Sequence, residues 1–147
     1  MDIPFLGLID LDILIFTVVF VGAVMMMKFL PRLMAGVPFV DPREIHEMIK
    51  DGKDVLVIDV RSPSEFTGNL GHVDGALNLQ ANELADRLGG AGGELDSLKN
   101  EPVCVVCRSE NRSPRAAKLL TRAGFTNVCI MKTGMAGWNR QGFPVEK

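Results

Sequence analysis

The apolar positions of the chain follow two different regimes. Residues 13–27, ILIFTVVFVGAVMMM, carry no charge and are apolar at every helical phase. Extended to Leu30 the stretch has about 18 residues and a helical length of roughly 27 Å, close to a hydrocarbon core of about 30 Å, with Lys28 able to snorkel to the interface. A helix without a polar face has no place beside a small α/β core. A cleaved signal peptide starts basic, whereas Asp2, Asp10 and Asp12 precede this run. The pattern therefore predicts an N-terminal segment 1–12, one transmembrane helix 13–30 ended by Pro31, a linker 31–40, and a domain 41–147. Lys28, Arg32 and Arg43 all follow the span. The positive-inside rule then predicts a single-pass protein of the cell membrane whose domain faces the cytoplasm.

From residue 41 short apolar runs alternate with amphipathic segments. Asp41-Pro42-Arg43-Glu44 supplies an N-cap, a proline at the first helical position and an acid three residues after the cap; Ile45, Met48 and Ile49 follow at helical spacing. Residues 55–58, VLVI, form a continuous apolar run, as in a parallel strand covered on both faces. Ser62-Pro63-Ser64-Glu65 repeats the capping pattern, and residues 76–79 read as a short strand. A further helix lies around Glu83, Leu84 and Leu88, ended by the glycine patch 89–93. Then come a strand at 103–106, a helix from Pro114 to Ala123 with Gly124 at its C-cap, a strand at 128–131, and a terminal helix carrying Trp138. This alternation predicts an α/β fold, a central parallel sheet with helices on both faces, preceded by one transmembrane helix.

Composition adds exclusions. With 147 residues and a net charge of −2, the chain shows no basic excess of the kind that binds nucleic acid. Three cysteines do not make a disulfide framework, and a reducing compartment is the simpler reading.

Ligands of open parallel sheets sit at the carboxyl ends of strands, and Cys107 stands at one. It faces the backbone amides of the loop 107–112 and the positive end of the following helix, and both favour thiolate over thiol. Arg108 and Arg112 add two positive charges. The site suits a nucleophilic sulfur and an anionic substrate. Cys104 and Cys107 spell Cys-x-x-Cys, but residues three apart on a strand point to opposite faces, and no second Cys or His pair stands at zinc-ligand spacing. No metal or cofactor is expected. Cys104 and Cys129 are read as core, His72 as a structural hydrogen-bonding group, His46 as part of a solvated helix face, and Trp138 as packing.

The segment Cys107-Arg108-Ser109-Glu110-Asn111-Arg112-Ser113 resembles the active-site loop of rhodanese-type sulfurtransferases. It is one residue shorter than the loop of protein tyrosine phosphatases, which disfavours phosphatase action. Asp59-Val60-Arg61 with Glu65-Phe66, the stretch from Gly71 to Asn78, and Thr133-Gly134-Met135 through Trp138 to Val145 match the family in order and spacing. The resemblance implies that Cys107 takes sulfur from a small donor such as thiosulfate, forms a persulfide, and passes it to a thiol or cyanide, with a protein acceptor as an alternative. Arg108, Ser109, Glu110, Asn111, Arg112 and Ser113 would hold the substrate, and Asp59 and Arg61 would buttress the loop from behind. Glu110 departs from the glycine common in the family. A β-carbon there is expected to cost on the order of 1 kcal/mol if φ is positive, and its carboxylate is expected to repel anionic donors. Replacing it with glycine is expected to improve thiosulfate turnover. The competing expectation is a membrane-tethered, non-catalytic module that senses sulfur or binds a partner.

Overall fold

The computed structural model describes residues 10–89, 93 and 95–147, so most of segment 1–12 and of the glycine patch lie outside the described residues. Two compact units divide after Met34.

The first unit is dominated by helix α1 (Leu11–Ala35). Its stretch Leu11–Leu30 is long and apolar enough to cross a membrane, with mean hydropathy 2.5 and none of it buried in protein. Twenty residues of helix rise about 30 Å. Pro31 does not end it: the helix runs on to Ala35, five residues further than expected. A proline inside a helix removes one backbone hydrogen bond without dictating termination, and so marks a boundary poorly.

The second unit holds a five-stranded parallel sheet. In chain order its elements are β1 (Phe39–Val40), α2 (Pro42–Lys50), β2 (Leu56–Asp59), α3 (Pro63–Phe66), β3 (Leu77–Asn78), α4 (Leu84–Leu88), a 3₁₀ turn (Asp96–Leu98), β4 (Val103–Val106), α5 (Ser113–Arg122), β5 (Val128–Met131) and α6 (Gly134–Arg140). Strand order is β1-β5-β4-β2-β3, with β4 central. Strand β1 falls in the stretch expected to be linker. It pairs Phe39 with Ile130 and Val40 with Met131, and two residues are too few for a periodic signal.

The pleat sends alternate residues of β4 to opposite layers. Val103 and Val105 join Ile58, Ile130, Leu84, Ala116, Ala117 and Leu120 under α4 and α5. Cys104 and Val106 join Val57, Ile45, Met135 and Trp138 under α2 and α6. Both faces of β4 are dry, so its residues are wholly apolar and its carboxyl end is held rigidly where the loop begins. Trp138 is buried, and its indole N–H donates to Pro144 O at 2.9 Å. His46 is not on a solvated face: it is half-buried, stacked on Phe143 at 4.3 Å between centroids and edge-on to Trp138 at 5.6 Å. An imidazole with apolar neighbours on both sides covers core as an aromatic ring does.

Candidate active site at the end of the central strand

Cys107 follows Val106 and is buried, 1% exposed. Its loop is fastened at both ends by different parts of the domain. At the near end, the β5–α6 corner supplies donors. Met135 N–H donates to Cys107 O at 2.9 Å and Ala136 N–H to Arg108 O at 3.0 Å. Thr133 N–H donates to Glu110 Oε1 at 2.6 Å. Reaching the loop this closely requires a tight corner, with φ of +58° at Thr133 and +53° at Gly134. A β-carbon at Gly134 would collide with Cys107 O, so only glycine fits there.

Glu110 therefore differs from expectation in two ways. Among the described residues Thr133 is the one non-glycine residue with positive φ, so Glu110 carries no left-handed strain. Its carboxylate is also engaged with the corner amide, half-buried beside the loop.

At the far end, Arg112 grips Glu65 with both guanidinium arms, Nη1 to Oε2 at 2.7 Å and Nη2 to Oε1 at 2.8 Å. Glu65 is positioned by its own helix. It closes a capping box with Ser62, accepting Ser62 N–H at 3.1 Å on Oε2 while its own N–H donates to Ser62 Oγ at 3.3 Å. The hydrogen bonds from Arg112 are the main reason its carboxyl is held down at about 2, against burial, which acts the other way. Reciprocally, Glu65 raises the pKa of Arg112.

Asp59 and Arg61 form a second fork, fully buried: Nε to Oδ1 at 2.9 Å and Nη2 to Oδ2 at 2.6 Å. The remaining donors of Arg61 reach Glu65 O at 3.1 Å and Gly71 O at 2.7 Å. This pair bears on the loop through Glu65. Sequence reasoning left Glu65 out of the site because its capping role explained it already; one carboxylate serves both.

Arg108 is exposed and lines a cleft of about 350 Å³ with Arg61, Ser64, Glu65, Asn69 and Leu70. Ser109 and Asn111 are exposed on the loop. Ser113 opens α5 and is buried, and its hydroxyl has no hydrogen-bond partner in the protein. Helix α5 starts without a side-chain cap, which leaves first-turn amides for an anion or a polarised sulfur. His72 is structural as expected. Its Nδ1–H donates to Phe66 O at 3.0 Å, and its ring stacks on Phe66 at 3.6 Å. Among the described residues no three His, Cys, Asp or Glu side chains converge as a metal centre requires.

Comparison with known proteins agrees with this geometry. The family model for the rhodanese-like domain matches residues 41–141. The Escherichia coli protein YibN is 36% identical over 94 residues, 63% of this chain and 62% of that protein, so this chain spans under two thirds of that relative's length. The thiosulfate sulfurtransferase GlpE of Shewanella oneidensis is 35% identical over 89 residues, 60% of this chain and 80% of that protein. Among solved structures, a rhodanese-related protein of Thermoplasma volcanium superposes with a TM-score of 0.61 at 27% identity, covering 74% of this chain and 97% of that one. With a strand–loop–helix built around Cys107 and a family match over most of the chain, the protein belongs to the rhodanese-like domain family.

Proposed function

We propose that the protein is a membrane-anchored sulfurtransferase in which Cys107 carries sulfane sulfur as a persulfide. The carrying observation is the placement of Cys107: buried at the carboxyl end of the central strand, in a loop clamped at both ends, against an uncapped helix start. Such a site presents donors to the sulfur it accepts. The Cys107 thiolate attacks the outer sulfur of the donor, for example thiosulfate. The donor S–S bond breaks, sulfite leaves with the bonding pair, and Cys107 holds the transferred sulfur. An acceptor thiolate or cyanide then attacks that sulfur and the thiolate returns. Ser113, buried where α5 begins, offers its unpartnered hydroxyl to the transferred sulfur. Arg108, exposed at the cleft, meets an anionic donor, while Arg112 is committed to Glu65 and holds the loop's shape. Helix α1 anchors the domain, on the cytoplasmic side by the charges that follow the span.

Mass spectrometry of the full chain after thiosulfate treatment tests the reading. A gain of one sulfur on the peptide containing Cys107, absent in Cys107→Ser, is expected. No gain from thiosulfate, inorganic polysulfide or a small-molecule persulfide would leave the non-catalytic module as the better account.

A further inference from the structure

The chemistry at Cys107 leaves two cysteines unused, and the sheet brings them together. Cys104 on β4 and Cys129 on β5 are register partners on neighbouring parallel strands. Both belong to the layer under α2 and α6, the face opposite the α4–α5 layer that includes Cys107. Cys104 is fully buried and Cys129 is half-buried. The pleat puts register partners on the same face of the sheet, so the two thiols stand side by side, and their mutual interaction splits their acidities. It is the main reason the Cys104 thiol is pushed up, with burial adding to it, and the main reason the Cys129 thiol is drawn down, against burial and the carboxylate of Glu44. The more accessible thiol is thus the more acidic of the pair, with the other beside it on the neighbouring strand. A reactive thiolate with a resolving thiol beside it is the arrangement of a dithiol redox couple.

We propose that Cys104 and Cys129 form a reversible intramolecular disulfide, a modification site distinct from Cys107. The Cys129 thiolate attacks one oxygen of a hydroperoxide and the O–O bond breaks. Cys129 becomes the sulfenic acid, and the displaced oxygen takes a proton from water. The Cys104 sulfur then attacks the Cys129 sulfur; the S–OH bond breaks, and hydroxide leaves as water with the Cys104 proton. Two thiols have supplied two electrons, and one peroxide has become two molecules of water or of water and alcohol.

Neighbouring strands lie about 4.8 Å apart, within the roughly 4.4–6.8 Å that bridged cysteines span between their α-carbons. The bond would tie β4 to β5 just upstream of Cys107. With Cys129 half-buried, one sulfur of the bond stays within reach of a small thiol reductant. This inference rests on strand register and the shared sheet face, independently of whether Cys107 transfers sulfur.

The test uses the full chain in detergent micelles with Cys107→Ala, so that tryptic peptide 100–108 carries only Cys104 and peptide 123–132 carries Cys129. After hydrogen peroxide treatment, free thiols are alkylated under denaturing conditions and the digest is run without reductant. A cross-link between the two peptides in most chains is expected. It should be lost with dithiothreitol and absent in Cys104→Ala, where Cys129 proceeds to sulfinic acid instead. The unsubstituted chain gives a parallel readout when fragmentation places the link on Cys104. Recovery of both residues as alkylated thiols, sulfinic Cys129 beside intact Cys104, or Cys129 linked to a second chain would each overturn the proposal.

Discussion

Two arginine–carboxylate forks stand behind the same loop, and they do different things. Asp59–Arg61 is buried, each side chain 1% exposed, with Arg61 donating to two carbonyls as well. Arg112–Glu65 is a third or more exposed on each side. The first fork has no alternative partner if broken, because water does not reach it; the second can turn to solvent. A buried ion pair is weak evidence of net stability, since desolvation opposes it, but losing one partner leaves an uncompensated charge. A half-exposed pair contributes little to stability and much to orientation. The inner fork should therefore govern whether the domain folds, and the outer one how the loop is held.

The sharpest way to break this contrast is to remove one carboxylate from each fork. Asp59→Ala should destabilise the domain by about 3–5 kcal/mol, the cost typical of stranding a buried charge. Glu65→Gln should cost about 1 kcal/mol, while slowing persulfide formation at Cys107 as Arg112 swings free. Urea unfolding in micelles, followed by the emission of Trp138, the single tryptophan, measures both. Equal losses of stability would abolish the distinction.

Acid titration sharpens the comparison. Glu65 is held at about 2 in the folded chain against an ordinary 4.5. A lowered carboxyl contributes stability above its unfolded value and loses it as the pH falls through the folded one. The stability gap between the unsubstituted chain and Glu65→Gln should be full at pH 6. It should start to shrink near 4.5 and close as the pH falls toward 2. A gap constant over that range would show that Arg112 does not hold the carboxylate in the folded chain.

The inner fork and the outer one were not equally legible in the sequence. Asp59 ends an apolar strand and Arg61 follows two residues on, and their position behind the loop is what the family resemblance of Asp59-Val60-Arg61 implies. Cys107 was legible from the end of its own apolar strand. The partners that fasten the loop were not, because each comes from elsewhere in the chain. Glu65 is 47 residues from Arg112 and Thr133 is 23 from Glu110, and no local pattern encodes either contact. His46 and β1 failed differently. A half-buried imidazole looks polar to any periodicity argument, and a two-residue edge strand has no period.

The smallest effects belong to Glu110, and two substitutions separate its contributions. Its carboxylate accepts the Thr133 amide, at a corner that also donates to Cys107 O and Arg108 O. Glutamine keeps an acceptor oxygen and removes the charge; glycine removes both and adds backbone freedom. Because Glu110 is not in the left-handed region, glycine gains nothing from relieved strain. Glu110→Gly should lower stability by about 1 kcal/mol, the worth of one such bond, with loosening of the loop offsetting any gain in thiosulfate turnover. Glu110→Gln should leave stability nearly unchanged. It should raise kcat/KM for dianionic thiosulfate roughly threefold, the order expected from deleting one screened charge several ångströms from the donor, with little change for an uncharged organic polysulfide. If glycine raises thiosulfate turnover as much as glutamine does, the corner contact contributes nothing to the reaction and the carboxylate acts through its charge alone.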